Sequence, residues 1–297
     1  RVEPPPEAEG ATGVSMPDWL YTELHNALGE AAKEAAYGML QPEPLWLAAV
    51  APQAAEILRA EGSEVTPGPV EGSLAVRLEW PLNDLESFTA GLVQPMNPAS
   101  LLVTHLLGAG TGDRVHDLAS GNGIKGAVLA AAGAQVTSIE LDEQKVWRAK
   151  QNKRRLQVKL NHRVMDLREL PADVEPARYV LLDAPCTGTG TLRGNPEIKL
   201  RLRPEHITAA AELQGQLLDS AATVCEPGGV LLYAVCSLSP AEGPEAVGGF
   251  LERHPEFSPE PIDAPARVRL IEAGAGKYVL PVDGLDGFYI SHLRRQA

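Results

Sequence analysis

Apolar runs of strand length alternate with helical segments from about Gly112 to Val235. The predicted strands span 114–118, 135–141, 161–165, 177–182 and 229–235, and the predicted helices span 126–132, 143–157 and 204–224. Repeated strand–helix units build a mostly parallel sheet with helices on both faces. The sequence therefore predicts an α/β fold with a doubly wound, Rossmann-like sheet, and residues 287–293 predict its last strand.

Two segments precede this alternation. Residues 1–15 are rich in proline and glutamate, which predicts a disordered or peripheral lead-in. Between residues 16 and 92, helical spacing of apolar residues gives way to a helix near 51–61 and a strand near 73–80, which predicts a small α+β domain. The larger domain then occupies residues 93–297.

Composition excludes several classes of protein. Hydrophobic residues make up 44% of the chain and charged residues 22%, as in ordinary globular enzymes. No apolar run approaches the roughly 20 residues of a membrane span. The three cysteines form no disulfide framework and no Cys-x-x-Cys pair, so we expect free thiols, no metal and a cytoplasmic location. Nothing in the sequence requires more than a monomer.

Basic residues are concentrated in two places, although the net charge is −13. The stretch 145–159 carries seven positive charges and no acidic residue, and a second cluster contains Arg193, Lys199, Arg201 and Arg203. The overall charge argues against indiscriminate binding of polyanions. Each cluster fits either a solvated helix face or a local groove for RNA, and both interpretations stay open.

A glycine-rich segment connects the first predicted strand of the large domain to the following helix. It consists of Ala119, Ser120, Gly121, Asn122, Gly123, Ile124 and Lys125. Glycines allow the backbone to turn tightly and to approach a ligand closely. Glu140 ends the second strand, where a carboxylate accepts hydrogen bonds from ribose hydroxyls. This pattern predicts a nucleoside cofactor and does not distinguish S-adenosylmethionine from a nicotinamide.

Two cysteines follow two other strands of the predicted sheet. Asp183-Ala-Pro-Cys186 ends one strand and Val235-Cys236 ends the next, so both thiols are expected at the edge of the sheet that binds the cofactor. Cys225 is predicted in the last turn of a helix, as a buried structural thiol.

Methylation of carbon 5 of a cytosine needs this combination of groups. A thiolate that adds to carbon 6 makes carbon 5 nucleophilic, and a carboxyl group at ring nitrogen 3 assists the addition. A further group must then assist the loss of the proton on carbon 5. Cys186, Cys236 and Asp183 can supply these functions, whereas hydride transfer to a nicotinamide uses none of them.

The sequence around the cysteines resembles the Sun/Nop (RsmB-like) family of RNA cytosine-5 methyltransferases. The similar segments are Asp183-Ala-Pro-Cys-Thr-Gly-Thr-Gly, Tyr233-Ala-Val-Cys-Ser-Leu-Ser-Pro-Ala-Glu-Gly, Asp286-Gly-Phe-Tyr-Ile and Val93-Gln-Pro-Met-Asn-Pro. The match runs from about Pro17 to the carboxyl end. It implies a class I methyltransferase domain, S-adenosylmethionine as cofactor, and an amino-terminal α+β unit that binds RNA.

The resemblance also implies roles for individual residues. Cys236 corresponds to the nucleophile, and Cys186 to the residue that aids product release. In DNA cytosine methyltransferases the cysteine of a Pro-Cys motif is the nucleophile, so Cys186 is the rival candidate. S-adenosylmethionine is expected against residues 119–125, with Glu140 on the ribose and Asp166 near the adenine. Asp183 then lies between cofactor and target base, and Lys125 near the reacting groups.

This sequence departs from the family at three positions. Asn122 replaces a proline, Ile124 replaces a glycine, and Val235 replaces a threonine. We therefore expect an RNA cytosine-5 methyltransferase and favour ribosomal RNA as the substrate over transfer RNA. An RNA-binding protein of the same fold with weakened catalysis is the alternative, and a nicotinamide oxidoreductase is a more distant one.

Overall fold

The computed structural model describes residues 10–171 and 174–297. Its strands are β1 Leu45–Ala49, β2 Glu64–Pro67, β3 Ser73–Arg77, β4 Val93–Pro95, β5 Arg114–Leu118, β6 Gln135–Glu140, β7 Leu160–Val164, β8 Ala177–Asp183, β9 Cys225–Val235, β10 Phe257–Pro259, β11 Leu270–Ala273, β12 Gly276–Val279 and β13 Phe288–Arg295. They form two sheets within these residues, a small one with the order β2-β3-β1-β4 and a large one with the order β11-β12-β13-β9-β8-β5-β6-β7, in which β10 pairs with β13.

The helices alternate with the strands of the large sheet. The α-helices are α1 Gly10–Gly13, α2 Asp18–Leu28, α3 Ala32–Gly38, α4 Ala54–Ala60, α5 Glu86–Thr89, α6 Pro98–Leu106, α7 Ile124–Ala131, α8 Glu143–Arg155, α9 Ile198–Arg201, α10 Pro204–Thr223 and α11 Pro244–Arg253. Short 3-10 helices span Gly29–Ala31, Leu82–Asp84, Leu167–Glu169 and Thr189–Thr191. No helix of residues 10–171 and 174–297 has the length and apolar character needed to cross a bilayer.

The strands β9, β8, β5, β6 and β7 run parallel to one another. Their carboxyl ends therefore meet at one edge of the sheet. The strand β13 runs antiparallel between β9 and β12, so its first residues lie at this same edge. The predicted α/β fold with a mostly parallel sheet is confirmed.

Side chains alternate across the large sheet and contribute to two cores. On β9, Leu231 and Tyr233 pack in the core that contains α10 and α11, whereas Leu232 and Ala234 pack in the core that contains α6 and α7. This alternation is the period-two pattern of a strand that is buried on both faces. Tyr233 and Leu232 have no exposed surface, so the strand that carries Cys236 is held rigidly from both sides.

The amino-terminal part of the chain differs from its prediction. The small sheet has its own core, which includes Leu47, Leu58 and Val93, and it extends past the expected domain boundary at residue 92 because β4 belongs to it. The helices α2 and α3 do not pack on that sheet. They contribute to the same core as Tyr233 of the large sheet, so residues 16–92 are not one packed unit.

The predicted lead-in is wrong for its described part. Residues 1–9 lie outside the described residues, but residues 10–13 form the helix α1 and Val14 is buried. The buried Val14 packs in the core shared with α2. The chain is therefore integrated into the fold from residue 10 onward.

The predicted elements of the large domain lie within a few residues of the observed ones, with one informative exception. Cys225 begins the strand β9 instead of ending a helix, because the strand continues through Pro227 and Gly228. It is fully buried as predicted, and burial raises the pKa of its thiol to about 12. The hairpin of β11 and β12 was not predicted.

Candidate active site

The two cysteines at the strand ends face each other. The Sγ atoms of Cys186 and Cys236 are 3.4 Å apart, and both side chains are partly exposed. The hydrogen bond with Cys236 and the burial of the site hold the pKa of Cys186 well above its usual range, and the negative charge of Glu242 adds to the effect. Cys186 therefore holds its proton more tightly than an ordinary cysteine.

A buried ion pair lies beside the cysteines. Lys125 Nζ donates a hydrogen bond to Asp183 Oδ2 at 2.5 Å, and the Lys125 side chain is largely buried. Burial alone would lower the pKa of Lys125, but the attraction and hydrogen bond of Asp183, with a smaller contribution from Cys236, raise it. Lys125 therefore stays cationic beside the two cysteines.

Three separate segments are joined by backbone hydrogen bonds at this point. The Gly190 N–H donates to the carbonyl of Cys236 at 3.0 Å, and the Gly287 N–H donates to the carbonyl of Gly190 at 2.8 Å. The loop that carries Cys186, the end of β9 and the segment before β13 are therefore fixed relative to one another.

This junction leaves no space for a side chain at Gly190. A Cβ atom there would collide with the backbone carbonyl of Gly287. We expect Gly190→Ala to lower the free energy of unfolding by about 1–3 kcal/mol, because backbone must shift to admit the methyl group. Thermal unfolding followed by circular dichroism measures the effect. Gly248→Ala is the control, since a Cβ at Gly248 meets no atom within 4 Å, and equal stability of the two variants would contradict the prediction.

The glycine-rich segment turns sharply between β5 and α7. Ala119, Gly121 and Gly123 all have positive φ, at 53°, 57° and 69°. For Ala119 this is an uncommon conformation, of the kind that clusters at functional sites. The Glu140 carboxylate accepts hydrogen bonds from the N–H groups of Gly121 at 2.8 Å and Asp142 at 3.0 Å. It therefore fixes the segment from beside the end of β6.

The surface next to this segment suits a nucleoside. Nothing lies within 4 Å of a Cβ built on Gly121, so the space beside the loop is open. Leu141 is 59% exposed and Val164 is 45% exposed at the ends of β6 and β7, as expected for apolar surfaces that a flat ring would cover. The residues present fit S-adenosylmethionine.

Asp166 lies just after β7, on this cofactor side of the molecule. Its carboxylate accepts hydrogen bonds from the side chain and backbone N–H of Arg168, which lower the pKa of Asp166 to about 2. Ser120, Asn122 and Ile124 complete the loop, and the Asn122 carbonyl accepts a hydrogen bond from Asn152. The structure thus brings the predicted site residues to one edge of the sheet, with the cysteines and Asp183 on one side and Glu140 and Asp166 on the other. Their roles stay predictions.

Two arginines of the predicted basic clusters have structural roles instead. Arg193 donates hydrogen bonds to the carbonyls of Gly38 and Pro281. Arg155 donates to the carbonyls of Phe88 and Val93 and stacks on the Phe88 ring. Both guanidinium groups join the amino-terminal part of the chain to the large domain, and they are not free to bind RNA.

Two cavities lie on opposite sides of the sheet. One of about 470 Å³ opens beside Cys186 and is lined by Pro185, Cys186, Thr187, Ile198, Arg201, Leu202, His206, Ala210 and Leu213. A larger groove of about 1390 Å³ runs past the amino ends of β5, β6 and β8, at the opposite edge of the sheet from the cysteines. The first of these two adjoins the reactive groups. Among the described residues, no cluster of three or more His, Cys, Asp or Glu side chains could hold a metal ion.

Sequence reasoning missed a buried carboxylate next to the cysteines. Glu242 has no exposed surface and accepts hydrogen bonds from residues adjacent to both Cys186 and Cys236. An acidic residue six positions after a strand-end cysteine is an available signal. Nothing in the sequence, however, indicates that this glutamate points inward.

Comparisons with known proteins agree on one family. The model of the family described as 16S rRNA methyltransferase RsmB/F matches residues 104–294. Ribosomal RNA small subunit methyltransferase B of Thermus thermophilus is 44% identical over 98% of this chain and 68% of its own length. The protein of the same name from Xylella fastidiosa is 32% identical over 96% of this chain and 70% of its own. The crystal structure of PH0851 superposes with a TM-score of 0.89 at 27% identity, covering 99% of this chain and 70% of that one.

Proposed function

Because this chain belongs to the RsmB/F family of 16S rRNA methyltransferases, we propose that it methylates carbon 5 of a cytosine in small-subunit ribosomal RNA. The observation that carries the proposal is the pair of thiols 3.4 Å apart beside the Lys125–Asp183 ion pair. The chain is an S-adenosylmethionine-dependent RNA methyltransferase. Ribosomal RNA as the substrate and the free thiols support a cytoplasmic location, and we propose that the protein acts there as a monomer.

Residues 119–125, Glu140, Asp166 and Asp183 are proposed to hold S-adenosylmethionine. The cofactor, when bound, supplies an electrophilic methyl group. Glu140 offers its carboxylate to the ribose hydroxyls, and Asp166 offers its own to the edge of the adenine. The loop contributes backbone N–H groups, and the exposed Leu141 contributes an apolar surface.

Loss of the Glu140 carboxylate is expected to weaken binding of S-adenosylmethionine by about tenfold or more. Hydrogen bonds to a charged group contribute roughly 1.5–3 kcal/mol each, and 1.4 kcal/mol corresponds to a factor of ten. Titration calorimetry on Glu140→Ala measures the change. Glu143→Ala removes an exposed carboxylate three residues away and serves as the control. Equal affinity of the two variants would remove Glu140 from the proposed site.

Cys236 is proposed as the nucleophile. Its thiolate adds to carbon 6 of the cytosine, and the electron pair of the carbon 5–carbon 6 double bond becomes available at carbon 5. Asp183 holds the cation of Lys125 in place beside this residue. A carboxyl at ring nitrogen 3 assists the addition, and Asp183 is the acidic group that ends β8 beside the cysteines.

Cys186 is proposed to complete the reaction. After methyl transfer, a base takes the proton on carbon 5, the double bond re-forms, and Cys236 leaves as a thiolate. Cys186 lies within reach of the same ring because its Sγ is 3.4 Å from Cys236 Sγ. The cavity beside Cys186 offers space for the RNA around the target base. The small sheet and the exposed basic residues of α8 are proposed to bind RNA as well.

The reaction itself is tested by identifying the methylated nucleoside. The protein is incubated with methyl-labelled S-adenosylmethionine and with 16S rRNA transcribed in vitro, and the digested RNA is separated by chromatography. We expect the label in 5-methylcytidine. Label in another nucleoside would refute the proposal. Faster labelling of transfer RNA would change the substrate, and retention of RNA without any label would favour an RNA-binding protein.

A further inference from the structure

The carboxylate of Glu242 connects the two loops that carry the cysteines. Oε1 accepts a hydrogen bond from Ser237 Oγ at 2.6 Å and another from Thr187 Oγ1. Oε2 accepts from the Thr187 N–H at 2.9 Å and from Gln214 Nε2 at 3.0 Å. Thr187 directly follows Cys186, and Ser237 directly follows Cys236. One side chain therefore fixes both neighbours of the reactive thiols.

This carboxylate is held without a cation. Glu242 has no exposed surface, and among residues 10–171 and 174–297 no ion pair reaches its oxygens. A buried charge that lacks an opposite charge is costly unless hydrogen bonds satisfy it. Four donors satisfy the carboxylate, and Tyr233 Oη donates separately to the backbone carbonyl of Glu242 at 2.7 Å. An apolar residue here would leave these donors without a partner, so the carboxylate is what connects the two cysteine loops.

We propose that Glu242 is a positioning residue for product release, which holds the Cys186 loop against the Cys236 loop and makes Cys186 a stronger base within the covalent adduct. The inference rests on the proposed function, in which Cys186 takes the proton from carbon 5.

The charge around Cys186 changes when the adduct forms. In the free protein, the hydrogen bond and negative charge of Cys236, together with burial, raise the pKa of Cys186. Once the sulfur of Cys236 is bonded to carbon 6, it carries no charge and is only a weak hydrogen-bond acceptor. Burial and Glu242 are then the causes that still raise the pKa of Cys186. Glu242 therefore adds its charge to the effect of burial on the basicity of Cys186, at the step where a base is needed.

The proton balance closes over one cycle. Cys186 begins as a thiol and loses its proton to solvent after Cys236 has bonded to carbon 6. The Cys186 thiolate then takes the proton from carbon 5, and the electrons of that carbon–hydrogen bond re-form the double bond. The bond between Cys236 and carbon 6 breaks, and its electrons stay on sulfur. Cys186 ends as a thiol and Cys236 as a thiolate, as at the start.

Other titratable groups around Cys186 and Glu242 stay the same in the variants compared below. Tyr233 lies beneath both, and its pKa is raised well above its usual range by burial, with Cys186 and Glu242 adding to the effect. The remaining charged or titratable groups that face the two residues are Glu23, Lys125, Asp183, Arg201, His206, Tyr278 and Tyr289. None of them is altered by the substitutions.

The test follows the decay of the adduct against pH. Wild-type protein, 16S rRNA transcribed in vitro and S-adenosylmethionine are mixed for a single turnover, and the adduct is measured on denaturing gels between about pH 6 and pH 10. Glu242→Gln keeps the shape and most hydrogen bonds but removes the charge, so Cys186 becomes a weaker base with a lower pKa. We expect the rate of adduct decay to increase at a lower pH than in the wild type. We also expect it to level off at a lower maximum rate.

Thr187→Val is expected to shift the pH profile of adduct decay in the opposite direction, and it leaves the Glu242 carboxylate itself unchanged. It removes one hydroxyl that shields the Glu242 charge, so we expect adduct decay to rise at higher pH. Glu245→Gln neutralises an exposed carboxylate nearby and is expected to match the wild type. Damage to folding alone would not move the two pH profiles in opposite directions. If Glu242→Gln fails to fold, Thr187→Val by itself still tests the inference.

Two results would overturn the inference: profiles of Glu242→Gln and Thr187→Val that coincide with the wild type, or profiles that both move the same way. Failure of the proposed function is seen separately, since wild-type protein would then form no adduct at any pH.

Discussion

Replacing Cys236 with alanine is expected to abolish methylation and the covalent adduct together. Without the thiolate, carbon 5 of cytosine is not nucleophilic enough to accept the methyl group, and no other group takes over the addition to carbon 6. Removing a catalytic nucleophile costs on the order of 10⁴-fold or more in turnover. The measurement combines transfer of labelled methyl groups to 16S rRNA with denaturing gels that show the adduct.

The chain provides a matched control for this variant. Cys225 begins the strand that ends just before Cys236, and its thiol is fully buried. Cys225→Ala is expected to lower the stability by about 1 kcal/mol and to leave methylation intact. An adduct formed by Cys236→Ala would show that Cys236 is not the nucleophile.

Replacing Cys186 with alanine is expected to trap the protein on its RNA. Addition of Cys236 and methyl transfer still occur, but the proton on carbon 5 has no base near it, so the adduct accumulates. Loss of a positioned acid or base lowers the rate by about 10²–10⁴-fold, and repeated turnover falls by that factor. A burst of one methyl group per protein molecule, followed by a slow phase, is the kinetic result that we expect.

The two cysteine variants together distinguish the rival assignments. If Cys186→Ala forms no adduct while Cys236→Ala accumulates one, Cys186 is the nucleophile and Cys236 the residue for release. If both variants methylate RNA at the wild-type rate, covalent catalysis by these thiols is wrong. Cys186→Ala also identifies the group that titrates. If that group is Cys186, the rate of adduct decay in this variant no longer increases with pH.

The parallel part of the fold was predictable because its signals are local. A strand buried on both faces is an apolar run, and the crossover helices have their own periodicity. Predicted bounds such as 114–118 coincide with β5. Cys225 was misplaced because Pro227 and Gly228 normally end an element, whereas here β9 continues past them through an irregularity in its pairing with β8.

Pairwise contacts between distant segments were not predictable. The spacing of Leu20 and Leu24 indicates an apolar helix face, but it does not indicate which surface this face contacts. In the structure the face packs on the large sheet. Arg193 belongs to a basic cluster by sequence, yet carbonyls of Gly38 and Pro281 bind its guanidinium. The inward direction of the Glu242 side chain could not be predicted for the same reason. Its partners come from the loop after β8 and from α10 as well as from its own loop.

The position of β13 has a consequence for the order of folding. This strand follows β12 in the sequence, yet it lies between β12 and β9, and the segment before it supplies the Gly287 N–H that binds Gly190. Contacts of long sequence separation slow folding, because the loop between the two partners must close before the contact forms. The edge of the sheet that carries the thiols is therefore expected to be completed late, after the neighbouring parallel strands have paired.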